Sequence, residues 1–323
     1  MNTSAEISRI LAASRRVAVV GHIDPDGDTI GACFAVALAL RAAGKAPAVF
    51  LERLGANFNY IPGQEMVYNP AADGEPVFDT AVCLDCAAAA RMGAAEAVFR
   101  AAPVTICIDH HLSNDVSAAY NLICPGLSST SEIVYDVLNR FGEITRDIAT
   151  CLYTGIALDT AAFKHSYTSA RTHEIAARLI EAGAPFSYIH RMLFDQKSLG
   201  EVRILKTAVE HLEFALDGRL AFTWVTAEDM AEAGALKEDL EHIVNFILNI
   251  ESVEISVFAY TKADNLSKLS LRSHTINVAD ICAQFGGGGH LRAAGCNIPC
   301  QPREALAAVL PYIARARSCP DGG

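Results

Sequence analysis

Residues 16–28 read RVAVVGHIDPDGD, an apolar run that ends in glycine and passes straight into a loop carrying one histidine and three aspartates. Arg16 to Gly21 has the length and composition of a buried strand. Pro25 fixes the loop backbone and Gly27 frees it, so alternating side chains can turn toward a common centre. Residues 29–43 then read as a helix, closed by Gly44. Its apolar stretch, Ile30 to Leu40, is far shorter than the about 20 residues that cross a bilayer and predicts a buried helix. Further strand candidates follow at 46–51, 80–85 and 104–108, with an alanine-rich helical stretch at 87–102. Strands separated by crossover helices predict an α/β protein whose N-terminal domain is a parallel sheet with flanking helices.

In such sheets ligands bind outside the carboxyl ends of the strands. Three predicted strand ends run directly into His22 and Asp26, into Asp85, and into Asp109 and His110. Carboxylates with imidazoles suit Mn²⁺, Mg²⁺ or zinc, and the lack of thiolates in the first loop argues against a structural zinc. Taken singly, the loop has an alternative reading as an acidic Asx turn, and Asp85 one as a helix cap. Asp109-His110-His111 is less common, since buried histidines need partners. Asp159 lies in an apolar, helix-like stretch where a lone carboxylate is costly; a metal or a hydrogen-bonded structural role each accounts for it. Together these groups point to a two-metal site, because two ions about 3.5–4 Å apart can share a bridging carboxylate.

From Ser129 the pattern turns helical. Ser129 and Glu132 fit a capping box that starts a helix toward Arg140. Helical spacing continues over 147–163 and 172–182, and 187–211 reads as a helical connector. Asp217-Gly218 and Asp264-Asn265 mark hairpin turns between strand candidates 212–216 and 220–226, and between 253–261 and 266–273. These signals divide the chain into a catalytic domain over 1–185, a helical linker over 186–211 and a smaller α/β C-terminal domain over 212–323. The glycines of 286–289 are not followed by Lys-Ser/Thr, which excludes a Walker loop and leaves a flexible turn before a helix.

The composition agrees with two domains: 323 residues, 51% hydrophobic and 20% charged, exceed what one core usually holds. Ten cysteines are scattered through apolar segments, and the N-terminus lacks a basic leader before an apolar stretch. Reduced thiols in a cytoplasmic protein are expected. Cys83 and Cys86 form a CxxC with no second pair, and packing is the reading for them. A net charge of −11 with no basic run excludes a track for long nucleic acid. Small phosphate substrates fit, since bound cations reverse the local charge.

The ordered segments HxDPDGD (22–28), LDCA (84–87), IDHH (108–111), ALDT (157–160) and GGGGHLRAAG (286–295) resemble those of the DHH phosphoesterases with a DHH-associated C-terminal domain. The likeness runs from about residue 15 to 300 and is nearest to the nanoRNase/pAp-phosphatase branch. It implies a metal-dependent hydrolase that cleaves short oligoribonucleotides or pAp by metal-activated hydroxide. The ligand set it implies is His22, Asp26, Asp85 and Asp159 for one ion and Asp28, Asp85 and His110 for the other, joined by Asp109, with Asp85 bridging. His111, with Asp109, is implied as the catalytic group near the scissile phosphate. Arg272, Gly287, Gly288, Gly289 and His290 are implied to bind the substrate, with Arg292 as a helper. Two divalent cations, Mn²⁺ ahead of Mg²⁺, are the implied cofactors. The implied partners are short RNA or phosphorylated nucleotides, without long duplex DNA or membrane, and a homodimer is allowed. The rival readings are a RecJ-like exonuclease, a cyclic or linear dinucleotide phosphodiesterase, a family II pyrophosphatase and a non-catalytic nucleotide sensor. One departure stands out: the family's fourth motif commonly reads Asp-Thr-Gly, whereas this chain has Asp159-Thr160-Ala161.

Overall fold

In the computed structural model, which describes residues 2–52, 54–69 and 77–318, the RVAVV run forms strand β1 (Arg16–Val20) with every residue after Arg16 buried. It is flanked by β2 (Ala46–Phe50) and β3 (Thr80–Leu84). Strands β4 (Val104–Asp109) and β5 (Tyr120–Ile123) extend the sheet to the order β2-β1-β3-β4-β5, all parallel. The order reverses at β1, so a crevice opens between the carboxyl ends of β1 and β3.

Side chains alternate across this sheet as the pleat dictates. Val17, Val19, Val82, Leu84, Ile106 and Ile108 face one core. Helices α1 (Ser4–Ala13), α2 (Gly27–Ala42), α4 (Thr130–Phe141) and α5 (Arg146–Asp159) supply most of its other residues. Ala18, Val20, Ala81, Cys83 and Cys107 face the opposite side, where they meet Met92 and Phe99, the latter from α3 (Ala95–Ala101). Cys83 and Cys86 are buried free thiols in that apolar layer. Helix α2 is buried from Gly27 through Leu40, so it is a central rather than an amphipathic helix.

The expected elements shift where the backbone turns left-handed. The 87–102 stretch is not one helix: Asp85 and Ala87 have φ of 59° and 52°, a 3₁₀ turn covers Ala89–Met92, and α3 begins only at Ala95. Asp109 Oδ2 and Asp115 Oδ1 accept the Ala87 and Ala89 amides at 2.7 and 2.8 Å, and these tertiary bonds override alanine's helix propensity. Likewise α5 stops at Asp159 instead of 163, because Ala161, Ala162 and Phe163 have φ of 47°, 60° and 65°. Two further helices, α6 (Ala170–Glu181) and α7 (Phe186–His190), close this region. The connector over 187–211 is interrupted: a π turn spans Arg191–Asp195, and α8 (Leu199–Glu210) starts afresh behind the Ser198 cap.

The chain divides into two units at that break, Met1–Gln196 and Lys197–Gly323. The second unit holds a mixed sheet of β6 (Glu213–Ala215), β7 (Leu220–Val225), β8 (Ile255–Ala263), β9 (Leu266–Ser273), β10 (Gly288–His290) and β11 (Ala293–Ile298). Their order is β10-β11-β9-β8-β7-β6, with only β7 and β8 parallel. Helices α9 (Ala227–Ala233), α10 (Ile243–Leu248), α11 (Val278–Ala283) and α12 (Pro302–Ser318) complete it. Both hairpins form at the expected turns. The glycine run, read as a flexible turn, instead supplies the edge strand β10, with β11 following rather than a helix. No helix among the described residues is long and apolar enough to cross a membrane.

Candidate metal centre

The strand-end loops converge at the crevice beside β1. Three groups of side chains each place ligand atoms within 4.8 Å of one another: His22, Asp26 and Asp85; Asp28, His110 and Asp159; and Asp85, His110 and His111. Asp85 and His110 link the groups. Asp159 lies with Asp28 and His110, 3.3 Å from His110 Nε2, rather than with His22 and Asp26 as the resemblance implies. His111 Nδ1 is 3.5 Å from Asp85 Oδ1. Asp24 belongs to none of the groups.

Each ligand is held from behind. Asp26 caps α2, accepting the Asp28 and Thr29 amides. Asp28 is fully buried, and its two oxygens accept the Thr130 amide at 2.6 Å and the Ser131 amide at 2.9 Å at the start of α4. That helix end favours a carboxylate through its free N–H groups and dipole. Asp85 accepts the hydroxyls of Thr29 (2.8 Å) and Thr130 (2.9 Å), and its left-handed backbone is a strained conformation for a non-glycine residue.

The two imidazoles next to the carboxylates are oriented alike. His22 Nδ1 donates to the Ile23 carbonyl at 2.6 Å, and His110 Nδ1 to the Leu127 carbonyl at 3.3 Å. Each Nε2 then offers a lone pair to the site. His110 Nε2 faces Asp159 Oδ2 at 3.3 Å and Asp85 Oδ1 at 3.7 Å, and Asp159 Oδ2 is buried with no hydrogen-bond donor among the described residues. Lone pairs confronting one another in a buried site need a proton or a metal cation between them. This donor set fits divalent metal ions.

The carboxylates' proton affinities carry the same strain. Burial, reinforced by the charges of Asp28, Asp26 and Asp109, pushes Asp159 up to about 9 and Asp85 well above the usual carboxylate range. Burial also raises Asp28, although His110 and Ser131 oppose it. Asp109 behaves differently. Burial pushes it up, but hydrogen bonds from the His111 ring, the His111 amide and the Ala87 amide outweigh that and hold it low. Asn114 donates to it as well, at 2.6 Å. With both oxygens engaged by these protein donors, Asp109 is in none of the three groups. It accepts from His111 Nδ1 at 2.7 Å, and that bond raises the affinity of His111 for its proton against burial and the charge of Arg91.

Sequence reasoning missed three supporting residues. Thr29 and Thr130 hold Asp85, and the only signals were that Thr29 opens a predicted helix and Thr130 follows the predicted Ser129 cap. Arg91 accepts the Ile23 amide on its carbonyl at 2.8 Å; it was hidden in an alanine-rich stretch. Arg272, Gly287, Gly288, Gly289 and His290 all belong to the second unit. Arg272 is half-buried on β9, and His290 is exposed on β10.

Known proteins share this arrangement of segments. Residues 16–156 match the profile of the DHH family, N-terminal domain, and residues 217–315 that of the DHHA1 domain. The chain is 30% identical over 302 residues to the bifunctional oligoribonuclease and PAP phosphatase NrnA of Thermus thermophilus, covering 92% of this chain and 88% of that protein. An exopolyphosphatase-related protein from Bacteroides fragilis superposes with a TM-score of 0.84 at 25% identity, over 97% of both chains. Exonuclease RecJ bound to manganese shares the fold, with a TM-score of 0.54 at 14% identity over 99% of this chain and 96% of that one. The chain belongs to the DHH family, with a DHH N-terminal domain followed by a DHHA1 domain.

Proposed function

We propose that this chain is a two-metal phosphoesterase that hydrolyses short oligoribonucleotides and pAp. The observation that carries the proposal is His110 Nε2, whose lone pair confronts the unpartnered Oδ2 of Asp159 and the Oδ1 of Asp85. The near full-length likeness to an oligoribonuclease and PAP phosphatase supports the choice of substrate. His22, Asp26 and Asp85 would hold one cation, and Asp28, His110 and Asp159 the second, with Asp85 shared. Bound divalent cations supply Lewis acidity, acidifying water and offsetting charge on the phosphoryl oxygens. Mn²⁺ is proposed ahead of Mg²⁺. The nine described cysteines, all free, support a reducing, cytoplasmic setting.

The chain's own residues do the rest. Asp109 fixes the His111 ring through Nδ1–H and strengthens its hold on a second proton at Nε2. His111 is thereby suited to face the phosphate or hand that proton to the leaving oxygen. Thr29, Thr130 and the amides of Thr130 and Ser131 keep the carboxylates from turning away. Residues 1–185 are proposed as the catalytic domain and 212–323 as the substrate-binding domain, with Arg272, Gly287, Gly288, Gly289 and His290 as its contacts. Arg suits bidentate contact with phosphate.

The test offers pAp, labelled two- to five-nucleotide RNAs and a long single strand to the wild type and Asp85→Ala with Mn²⁺. Cleavage of pAp and the short RNAs, lost by roughly a hundredfold or more in the variant, is expected. Cleavage of the long strand alone overturns the substrate assignment. Full activity of the variant at saturating Mn²⁺ overturns the role of Asp85.

A further inference from the structure

One face of the second unit's sheet carries cations that no carboxylate pairs with among the described residues. Strand β9 alternates Lys268, Ser270 and Arg272 on this face, while Leu269 and Leu271 point into the opposite core. Their cross-strand partners on β8 are Tyr260, Phe258 and Ser256, and on β11 they are Asn297, Gly295 and Ala293. Beyond β11 the same rows end on Gly288 and His290 of β10.

Over part of this face lies a cavity of about 310 Å³, walled by Lys237, Glu241, Lys268, Ser270 and Arg272 above the rings of Phe258 and Tyr260. The rings are buried, at 2% and 7% exposure, so they form a floor rather than a stacking platform. Lys268 and Arg272 are half-buried, whereas Lys237 and Glu241 are exposed. Among the described residues the Arg272 guanidinium donates only to its neighbour's carbonyl, Leu271 O, at 3.0 Å, and none of the three cations forms an ion pair.

A half-buried guanidinium with no carboxylate, in a chain of net charge −11, is costly unless an anion joins it. The floor beside these cations is kept low. A methyl group on Gly295 would lie 2.9 Å from the Leu269 carbonyl, and one on Gly288 would meet open space. Lys268 and Arg272, four positions apart on the strand, stand roughly 13 Å from each other, about two steps between successive phosphates of an extended nucleotide strand.

Resting on the function proposed above, we propose that Lys268, with Lys237, forms a second phosphate subsite beyond Arg272. It grips a phosphate that is not the one being cleaved and so sets the preference for longer oligonucleotides over a single nucleotide. Glu241, which also lines the cavity, keeps it from being uniformly cationic, and the charge balance turns on the two lysines.

The test compares the wild type with Lys268→Ala, Lys237→Ala and Lys268→Arg, after thermal melts confirm that each folds. The expected result is a drop of about tenfold, per lysine removed, in the ratio of kcat/KM for a 5′-phosphorylated trinucleotide to that for pAp, with Lys268→Arg restoring the ratio. A ratio within twofold of wild type in both alanine variants overturns the subsite. Binding of a labelled 5′-phosphorylated pentaadenylate is measured in parallel in EDTA, where turnover cannot contribute. Each lost contact should make the slope of log Kd against log salt shallower by about 0.7. An unchanged slope, or no binding by the wild type, overturns the proposal. Absence of hydrolysis with this binding pattern intact removes the proposed activity and leaves the subsite standing.

Discussion

Asp28 and Thr130, 102 residues apart in the chain, are joined by a 2.6 Å hydrogen bond from the Thr130 amide to the Asp28 carboxylate. The start of one helix thereby buries its free N–H groups against the side chain that opens another, and both helices contribute to the same site. The crossing of α2 and α5 makes this possible. A methyl group on Gly31 would lie 2.3 Å from the Cys151 carbonyl, and one on Gly155 would lie 2.0 Å from Ser131 Oγ and 2.7 Å from Asp28 Oδ1.

Gly155→Ala therefore pushes directly on Asp28. The expected outcome is a loss of about 1–3 kcal/mol of stability from overpacking and a roughly 10–100-fold weaker affinity for Mn²⁺. Urea melts and calorimetric titration measure the two effects; an unchanged Mn²⁺ affinity would show that Asp28 does not depend on this crossing.

Asp109→Asn tests the link to His111. The hydrogen bond from His111 Nδ1 raises that ring's proton affinity, so its loss moves the His111 titration to lower pH. Turnover is expected to slow by roughly one to two orders of magnitude, with the basic limb of the pH–rate profile displaced toward acid. A uniform fall with no displacement would argue against proton transfer at His111.

Metal removal should make the protein sensitive to alkali. The ordinary Asp value is 3.8, whereas Asp159 is held at about 9. Between those values the metal-free folded chain keeps a proton that the unfolded chain releases, so stability falls as pH rises. Urea melts in EDTA from pH 5 to pH 8 should show a decline on the order of 1 kcal/mol per pH unit, flattened by Asp159→Asn. Mn²⁺ should reverse the trend and release protons on binding. Stability that rises across this range would contradict the assignment.

Ala161 departs from the Asp-Thr-Gly that the family resemblance implies, and its φ is 47°. The left-handed region costs an alanine roughly 1 kcal/mol, so Ala161→Gly should stabilise the first unit by about 0.5–1 kcal/mol. A melting temperature higher by about 2–4 °C is expected; a lower one would mean that the Ala161 methyl packs usefully.

The parallel sheet was legible because Val17 to Val20, Thr80 to Leu84 and Val104 to Asp109 are short apolar runs that each end on a chemically conspicuous residue. The metal-site candidates were legible for the same reason. What escaped was conformational. Nothing in the identities of Asp85 or Ala87 announces a left-handed backbone, which hydrogen bonds to Ile108 and Asp109 hold. Thr29 and Thr130 look like ordinary helix-start residues until the fold brings both hydroxyls to Asp85. Strands β5 and β10, of four and three residues, are too short to carry a period. Helix α5 ends at Asp159, four residues before the predicted end, because Ala161, Ala162 and Phe163 turn left-handed.

Helix α2 carries Asp28 at its start and is enclosed from Gly27 to Leu40. A helix without a solvent face has no partial opening of its own, so its amides exchange with solvent only when the whole unit comes apart. Heating should leave the metal centre's slow-exchanging floor in place up to that single event. Inactivation and unfolding would then coincide, and gradual loosening of the site would play no part.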